Sequence, residues 1–294
     1  MTRDPSSTLI ERLPALGESP PDSLTEARLV LHWAVQPVAA FGFSVLPARD
    51  DFGHTALQWS DEAGGLRSEI HEATGLHAVL DLEGFALALR RGDEEVERFE
   101  LAGHRLDEAY AWLGEALGRA GQVLEDGVTK PGHLGDMPEH AVGKGEILVA
   151  PDPAHRRELA RWFGAADALL HHLREEIPTM GPVQCWPHHF DVATLHVLAG
   201  EGESMRSIGV GVSPGDGGYP EPYVYVTPWP YPQGELPALP SGHWHTEGWT
   251  GAVLTGTELL APEPSARATA LLAMIHAAHD SSAERLREQG TDEQ

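Results

Sequence analysis

His77-Ala78-Val79-Leu80-Asp81-Leu82-Glu83-Gly84-Phe85-Ala86-Leu87-Ala88-Leu89 reads as two short apolar strands on either side of a Glu-Gly turn. So short a link makes the strands antiparallel, because parallel neighbours need a crossover of a dozen or more residues. The pattern extends outward. Strand-like segments at 41–46, 54–59 and 66–71 precede it and one at 95–101 follows, separated by Asp50-Asp51-Phe52-Gly53, Gly64-Gly65 and Gly92-Asp93. A second series lies at 183–185, 190–198, 207–213, 223–227, 242–246 and 251–255.

Helical periodicity brackets both series. Apolar residues at Leu24, Ala27, Val30, Leu31, Ala34, Val35 and Val38 predict a first helix, with Pro37 near its end. Leu106, Tyr110, Leu113 and Leu117 form one stripe on a helix over 104–119, suited to covering a sheet. Asp152 caps a third helix, with Pro153 at its first position, and Pro178 stops it. A last helix runs over 264–287. The expectation is an α+β fold of mostly antiparallel sheet covered by three or four helices, as two similar meander-plus-helix halves or one fused domain. Its parts are an irregular arm over 1–23, a first half over 24–125, a connection over 126–151 and a second half over 152–290.

A chain of 294 residues with 41% hydrophobic and 22% charged residues can bury a substantial core. No apolar run nears the roughly 20 residues that span a bilayer, and the N-terminus lacks the basic start and apolar run of a signal peptide. Cytoplasmic residence is expected. Cys185 is the only cysteine, which excludes an intrachain disulfide and multi-cysteine zinc motifs. With 45 acidic and 20 basic residues, the net charge of −25 opposes nucleic acid and anionic membranes, and no basic patch offsets it.

Two runs in the second half hold candidate chemistry: Val183-Gln184-Cys185-Trp186-Pro187-His188-His189-Phe190-Asp191 and His243-Trp244-His245-Thr246-Glu247-Gly248-Trp249. Strand alternation puts His189 with Asp191 on one face, and His243 with His245. If the strands approach, these four could bind Zn²⁺, Fe²⁺ or Mn²⁺, ions that take nitrogen and oxygen donors. Glu247 would then act as general base or orient a ligand. Two other readings stay open. The imidazoles pack against rings with both nitrogens hydrogen-bonded, or they line a polar pocket with Trp186, His188, Tyr225, Trp229 and Trp244.

Gly211-Val212-Ser213-Pro214-Gly215 matches the G-x-S-x-G pattern, but Asp216-Gly217-Gly218-Tyr219-Pro220 follows it, where a hydrolase elbow needs a helix. His276, His279 and Asp280 share one side of the last helix and read as surface or half-buried residues. Tyr219, Tyr223, Tyr225, Trp229 and Tyr231 make the densest aromatic stretch, expected to pin a loop over the core.

Trp186-Pro187-His188-His189-Phe190-Asp191-Val192-Ala193, followed by Glu221-Pro222-Tyr223-Val224-Tyr225-Val226-Thr227-Pro228, resembles a bacterial family known only as a domain of unknown function. Leu31-His32-Trp33-Ala34-Val35-Gln36 and the closing helix support the resemblance, which spans most of the chain. It implies a shared α+β fold and supplies no activity. In that family Phe190-Asp191 matches the steadier part of the motif, and the paired histidines vary. If the protein is an enzyme, the expected activity is metal-assisted chemistry on a small polar molecule, with Glu247 or Asp191 moving the proton. The alternative is a non-catalytic module that binds a small molecule or mediates assembly.

Overall fold

The computed structural model describes residue 9 and residues 11–292. Two antiparallel sheets with helices make an α+β fold, and the chain divides into two compact units. The first joins Leu24–Ala160 to Gln184–Phe190; the second holds the described residues of 1–23, Arg161–Val183 and the described residues of 191–294. The stretch 126–151, expected as the connection, belongs to the first unit, and the chain changes unit inside a helix, after Ala160.

In the first unit, α1 (Thr25–Ala34) runs into α2 (Gln36–Val45) through Val35, which keeps helical dihedrals of φ −78° and ψ −17°. The strand expected over 41–46 is therefore helix. The reason lies in its burial: every residue from Gln36 to Gly42 is buried, and a helix apolar on all sides carries no 3.6-residue alternation to tell it from a buried strand. Gly42 allows the close approach, because a Cβ there would stand 3.0 Å from Thr55 Cα and 3.2 Å from the His54 carbonyl carbon.

Five strands follow in sequence order: β1 (Gln58–Ser60), β2 (Gly65–Arg67), β3 (Leu76–Asp81), β4 (Ala86–Arg91) and β5 (Glu94–Glu100). The opening hairpin pairs Leu80 with Leu87 and Val79 with Ala88. Its turn is closed by Asp81, whose carboxylate accepts the Gly84 N–H at 2.7 Å. Buried Leu106, Ala109, Tyr110, Leu113, Ala116 and Leu117 line the inner side of α3 (Leu106–Arg119), which packs against β4, β5 and α2. β6 (Gln184–Trp186) joins this unit through paired main-chain bonds between Cys185 and Leu57.

The second unit takes α4 (Pro153–Glu176) from Arg161 onward. It adds β7 (Asp191–Ala199), β8 (Arg206–Ser213), β9 (Tyr223–Trp229), β10 (His243–His245) and β11 (Gly251–Thr255), then α5 (Gly256–Leu260) and α6 (Arg267–Asp292). These strands are antiparallel in the order β10-β11-β9-β8-β7. The sheet is not a pure meander like the first, since β11 lies between β9 and β10. Leu9, Leu13 and Leu16 of the expected irregular arm are buried, and Arg267 donates to the Leu13 and Leu16 carbonyls at 3.3 and 2.9 Å.

Register sorts the second sheet into two faces, because directly opposed residues point the same way. Val192, Val210, Val212, Val224, Val226, Ala252 and Leu254 share one face and are buried. Trp162, Phe163, Ala166 and Leu169 of α4, with Leu271 of α6, cover it. The other face carries the rung Ala193–Gly211–Tyr225–Val253–His243. Leu195, Val197 and Trp229 on that face are 41%, 45% and 50% exposed, so it is open at that end, while Asp191, Tyr223 and Val253 on it are buried. Among the described residues no helix is long and apolar enough to cross a membrane.

Candidate functional site

Each unit gathers polar chemistry of its own. In the first, β6 leads into the turn Pro187-His188-His189-Phe190, and the turn is held from beneath by α1 and α2. His32 and Gln36 are 4% and 0% exposed. One turn apart on the helical run, they converge on one carbonyl: His32 Nε2–H donates to Pro187 O at 3.0 Å and Gln36 Nε2 at 2.7 Å. Gln36 also donates to the His32 carbonyl, at 2.9 Å, and its Oε1 accepts from His133 Nε2 at 2.7 Å. Phe190 completes the turn at φ +61°, a left-handed conformation uncommon outside glycine. Its ring stacks on His32 with centroids 5.0 Å apart.

On this support stand His133, His188 and His189. The His188 ring lies 4.1 Å from His189 and 5.6 Å from His133, centroid to centroid, and 6.0 Å from Trp186. Burial lowers the His32 pKa to about 3 against its bond to Pro187, with Arg28, His133 and His189 adding to the fall. Partial desolvation, then His189 and His133, hold His188 at about 4. Both rings are neutral at pH 7.

In the second unit the open sheet face carries a line of phenols and carboxylates. Asp191 opens β7 and is buried, and the Tyr225 hydroxyl donates a short hydrogen bond to its carboxylate. The phenol reaches it across β8 over Gly211, where a Cβ would collide with the Tyr225 ring. Burial, then the Asp191 charge, push the Tyr225 hydroxyl well above its ordinary pKa, and burial with Asp216 does the same to Tyr223. Both phenols are thus fixed as donors. Tyr223 donates to Asp216 Oδ2 at 2.6 Å, while Asp216 Oδ1 accepts the N–H groups of Gly218 and Tyr219 at 2.7 and 2.8 Å.

That loop sets Tyr219 beside β10. Its hydroxyl lies 2.9 Å from His245 Nδ1 and 3.1 Å from His243 Nε2. His245 donates Nε2–H to the Glu247 carbonyl at 2.7 Å and stacks on Trp249 at 4.5 Å. The carbonyl can only accept, so in the neutral ring Nδ1 accepts from Tyr219.

The candidate residues thus fall into separate sets. Trp186, His188 and His189 belong to the first unit; Asp191, Tyr225, Trp229, His243, Trp244, His245 and Glu247 belong to the second. Asp191 is engaged by Tyr225, and His243 and His245 by Tyr219. Among the described residues no group of three or more His, Cys, Asp or Glu side chains is placed to hold a metal ion, so the expected quartet of His189, Asp191, His243 and His245 is not gathered. Glu247 takes part through its main-chain carbonyl, and its side chain is exposed. Trp244 points away from its histidine neighbours and donates to Pro237 O at 2.8 Å. Ser213 ends β8 in a turn, its hydroxyl accepting the Gly215 N–H at 3.1 Å, and no helix follows.

Sequence reasoning missed His32, Gln36, His133 and Asp216 as parts of these networks. The i, i+4 spacing of His32 and Gln36 within an otherwise apolar helix was the available signal. No family model matches the chain, and neither a curated protein nor a solved structure matches it at a significant level.

Proposed function

We propose that the second unit is a binding module that holds a small polar molecule, uncharged or cationic, on the open face of its sheet. The observation that carries this reading is the buried Asp191–Tyr225 pair, on the sheet face opposite the helices, whose far end is exposed at Leu195, Val197 and Trp229. The pair offers a ligand a fixed phenol oxygen beside a negative charge.

The chemistry of the face narrows the ligand. Its strand residues include Asp191, Tyr223, Tyr225, Thr227 and Trp229, and none is lysine or arginine. Nothing there with a permanent positive charge would recognise phosphate or carboxylate. Aromatic faces beside carboxylates suit ammonium groups and the C–H faces of polyols. We read the protein as cytoplasmic, in keeping with its single cysteine, the buried Cys185.

Tryptophan fluorescence provides the test, because Trp229 is half exposed on this face. A panel of polyols, primary and quaternary amines, carboxylates and phosphates should give saturable responses only from the first two classes. Asp191→Asn and Tyr225→Phe should abolish them. Responses from the anionic classes alone, or responses that survive both substitutions, would sink the reading.

A further inference from the structure

We propose that Tyr219, His243 and His245 form a binding site for a divalent late transition-metal ion, Zn²⁺ or Cu²⁺, at the β10 edge of the second sheet. The proposal is separate from the ligand reading above and stands if that reading fails.

Strand geometry supplies two of the donors. His243 and His245 are two residues apart on β10, so both imidazoles leave the same side of the strand. β10 is the edge strand of its sheet, and among the described residues no further strand covers that flank. The third donor comes from the loop between β8 and β9. Asp216, itself held by Tyr223, accepts the Tyr219 N–H, and the Tyr219 carbonyl accepts the Asp216 N–H at 2.7 Å. Gly215 makes this fold possible: at φ +113°, a Cβ there would meet the carbonyls of Tyr219, Pro220 and Glu221 at 3.0–3.1 Å. Tyr219 is therefore placed by the loop's own backbone.

The two donor separations that involve the phenol suit one ion. A metal with bonds of about 2.0–2.1 Å sets its donors about 2.9 Å apart at right angles and about 3.3 Å apart at tetrahedral angles. The Tyr219 hydroxyl stands 2.9 and 3.1 Å from the two imidazole nitrogens. A second observation points the same way. His245 donates its far N–H to the Glu247 carbonyl, which leaves Nδ1 unprotonated and facing the Tyr219 hydroxyl. Metal-ligating histidines carry this kind of outer bond, which fixes tautomer and ring direction.

Proton balance follows from the network. Loading the site moves the His243 proton from Nε2 to Nδ1 through solvent and releases the Tyr219 phenol proton to water. Because loading releases a proton, binding should strengthen as pH rises. Two imidazoles and a phenolate favour copper and zinc over magnesium or calcium, which prefer all-oxygen shells.

The test uses the full chain without an affinity tag, stripped with chelator and titrated with Cu²⁺. A phenolate-to-copper charge-transfer band should grow to one equivalent, and calorimetry with Zn²⁺ should show a single site. Tyr219→Phe should erase the band and weaken Zn²⁺ about tenfold or more. His243→Gln, at an exposed edge position, should weaken it similarly with unchanged circular dichroism. The double change His171→Ala and His172→Ala, on α4, should leave both signals intact. The proposal is overturned if no band forms, if the band survives Tyr219→Phe, or if Zn²⁺ binding survives His243→Gln.

Discussion

His196 and His279 share a hydrogen bond 2.9 Å long, Nδ1 to Nε2, inside the second unit. Their rings are within 5° of parallel, and both side chains are nearly buried. The outer partners set the direction of the bond. Asp280 accepts at 3.2 Å and so draws the proton to His279 Nδ1, which leaves Nε2 to accept from His196. His196 Nε2 then accepts from the Thr179 hydroxyl at 2.9 Å. His279→Leu removes the acceptor of a buried N–H and should cost about 1–3 kcal/mol in urea unfolding. The double variant with His196→Phe should recover much of that loss, since two apolar partners leave nothing unpaired. Strictly additive losses would contradict the shared bond.

Acid should destabilise the first unit through His32. The folded chain keeps this ring neutral down to about pH 3, whereas in the unfolded chain it takes a proton near pH 6.5. Below that value the unfolded state binds the extra proton, so stability falls as pH drops from 6.5 toward 3. The slope is at most about 1.4 kcal/mol per pH unit. His32→Phe keeps a ring against Phe190 and removes the titration. Urea midpoints at pH 7.5, 6 and 5 should then show a shallower decline than in the parent chain.

Gly211→Ala and Gly118→Ala should act in opposite directions. At Gly211 the new methyl would lie 2.7 Å from Tyr225 Cε1 and must push the ring off Asp191. A loss of about 1–3 kcal/mol is expected, with loss of any ligand response at Trp229. Gly118 sits in α3 with nothing within 4 Å of a Cβ. Alanine there should stabilise by about 0.5–1 kcal/mol. Thermal unfolding of both variants measures the contrast.

Gln36→Leu should loosen the imidazole turn without disturbing the sheets. The amide makes two bonds to carbonyls and accepts one from His133, and leucine replaces none of them. Global stability should fall by about 1–3 kcal/mol. Amide exchange should quicken at His189 and Phe190, whose N–H groups bond to the Trp186 carbonyl at 3.2 and 2.6 Å. Unchanged exchange there would mean that the Pro187 carbonyl is not the anchor.

Legibility along the chain followed the reach of each interaction. The hairpin at Glu83-Gly84 was readable because two short apolar runs and a Glu-Gly turn signal between them are local facts, and the structure closes it with the four residues Leu82 to Phe85. The segment from Phe41 to Val45 was misread, because its helix is buried from Gln36 to Gly42 and aromatic and β-branched residues also suit strands. The pairing of His243 with His245 on one face was legible from spacing two. Their partner Tyr219 was read only as part of an aromatic loop, since a bond across 24 residues leaves no local periodicity.

By itself the sequence determined the α+β class, the two strand series and the helices flanking them, all of which rest on periodicity and turn chemistry within a dozen residues. It also put His243 and His245 on one strand face, whereas His189, read as sharing a strand face with Asp191, lies in a turn. Tertiary structure alone decided that β11 enters between β9 and β10, that Asp191 meets Tyr225, and that Tyr219 meets the two imidazoles. Those outcomes depend on register between distant strands and on a glycine clearing space for a ring. Both are properties of packed neighbours, and neither is written in any single stretch of the chain.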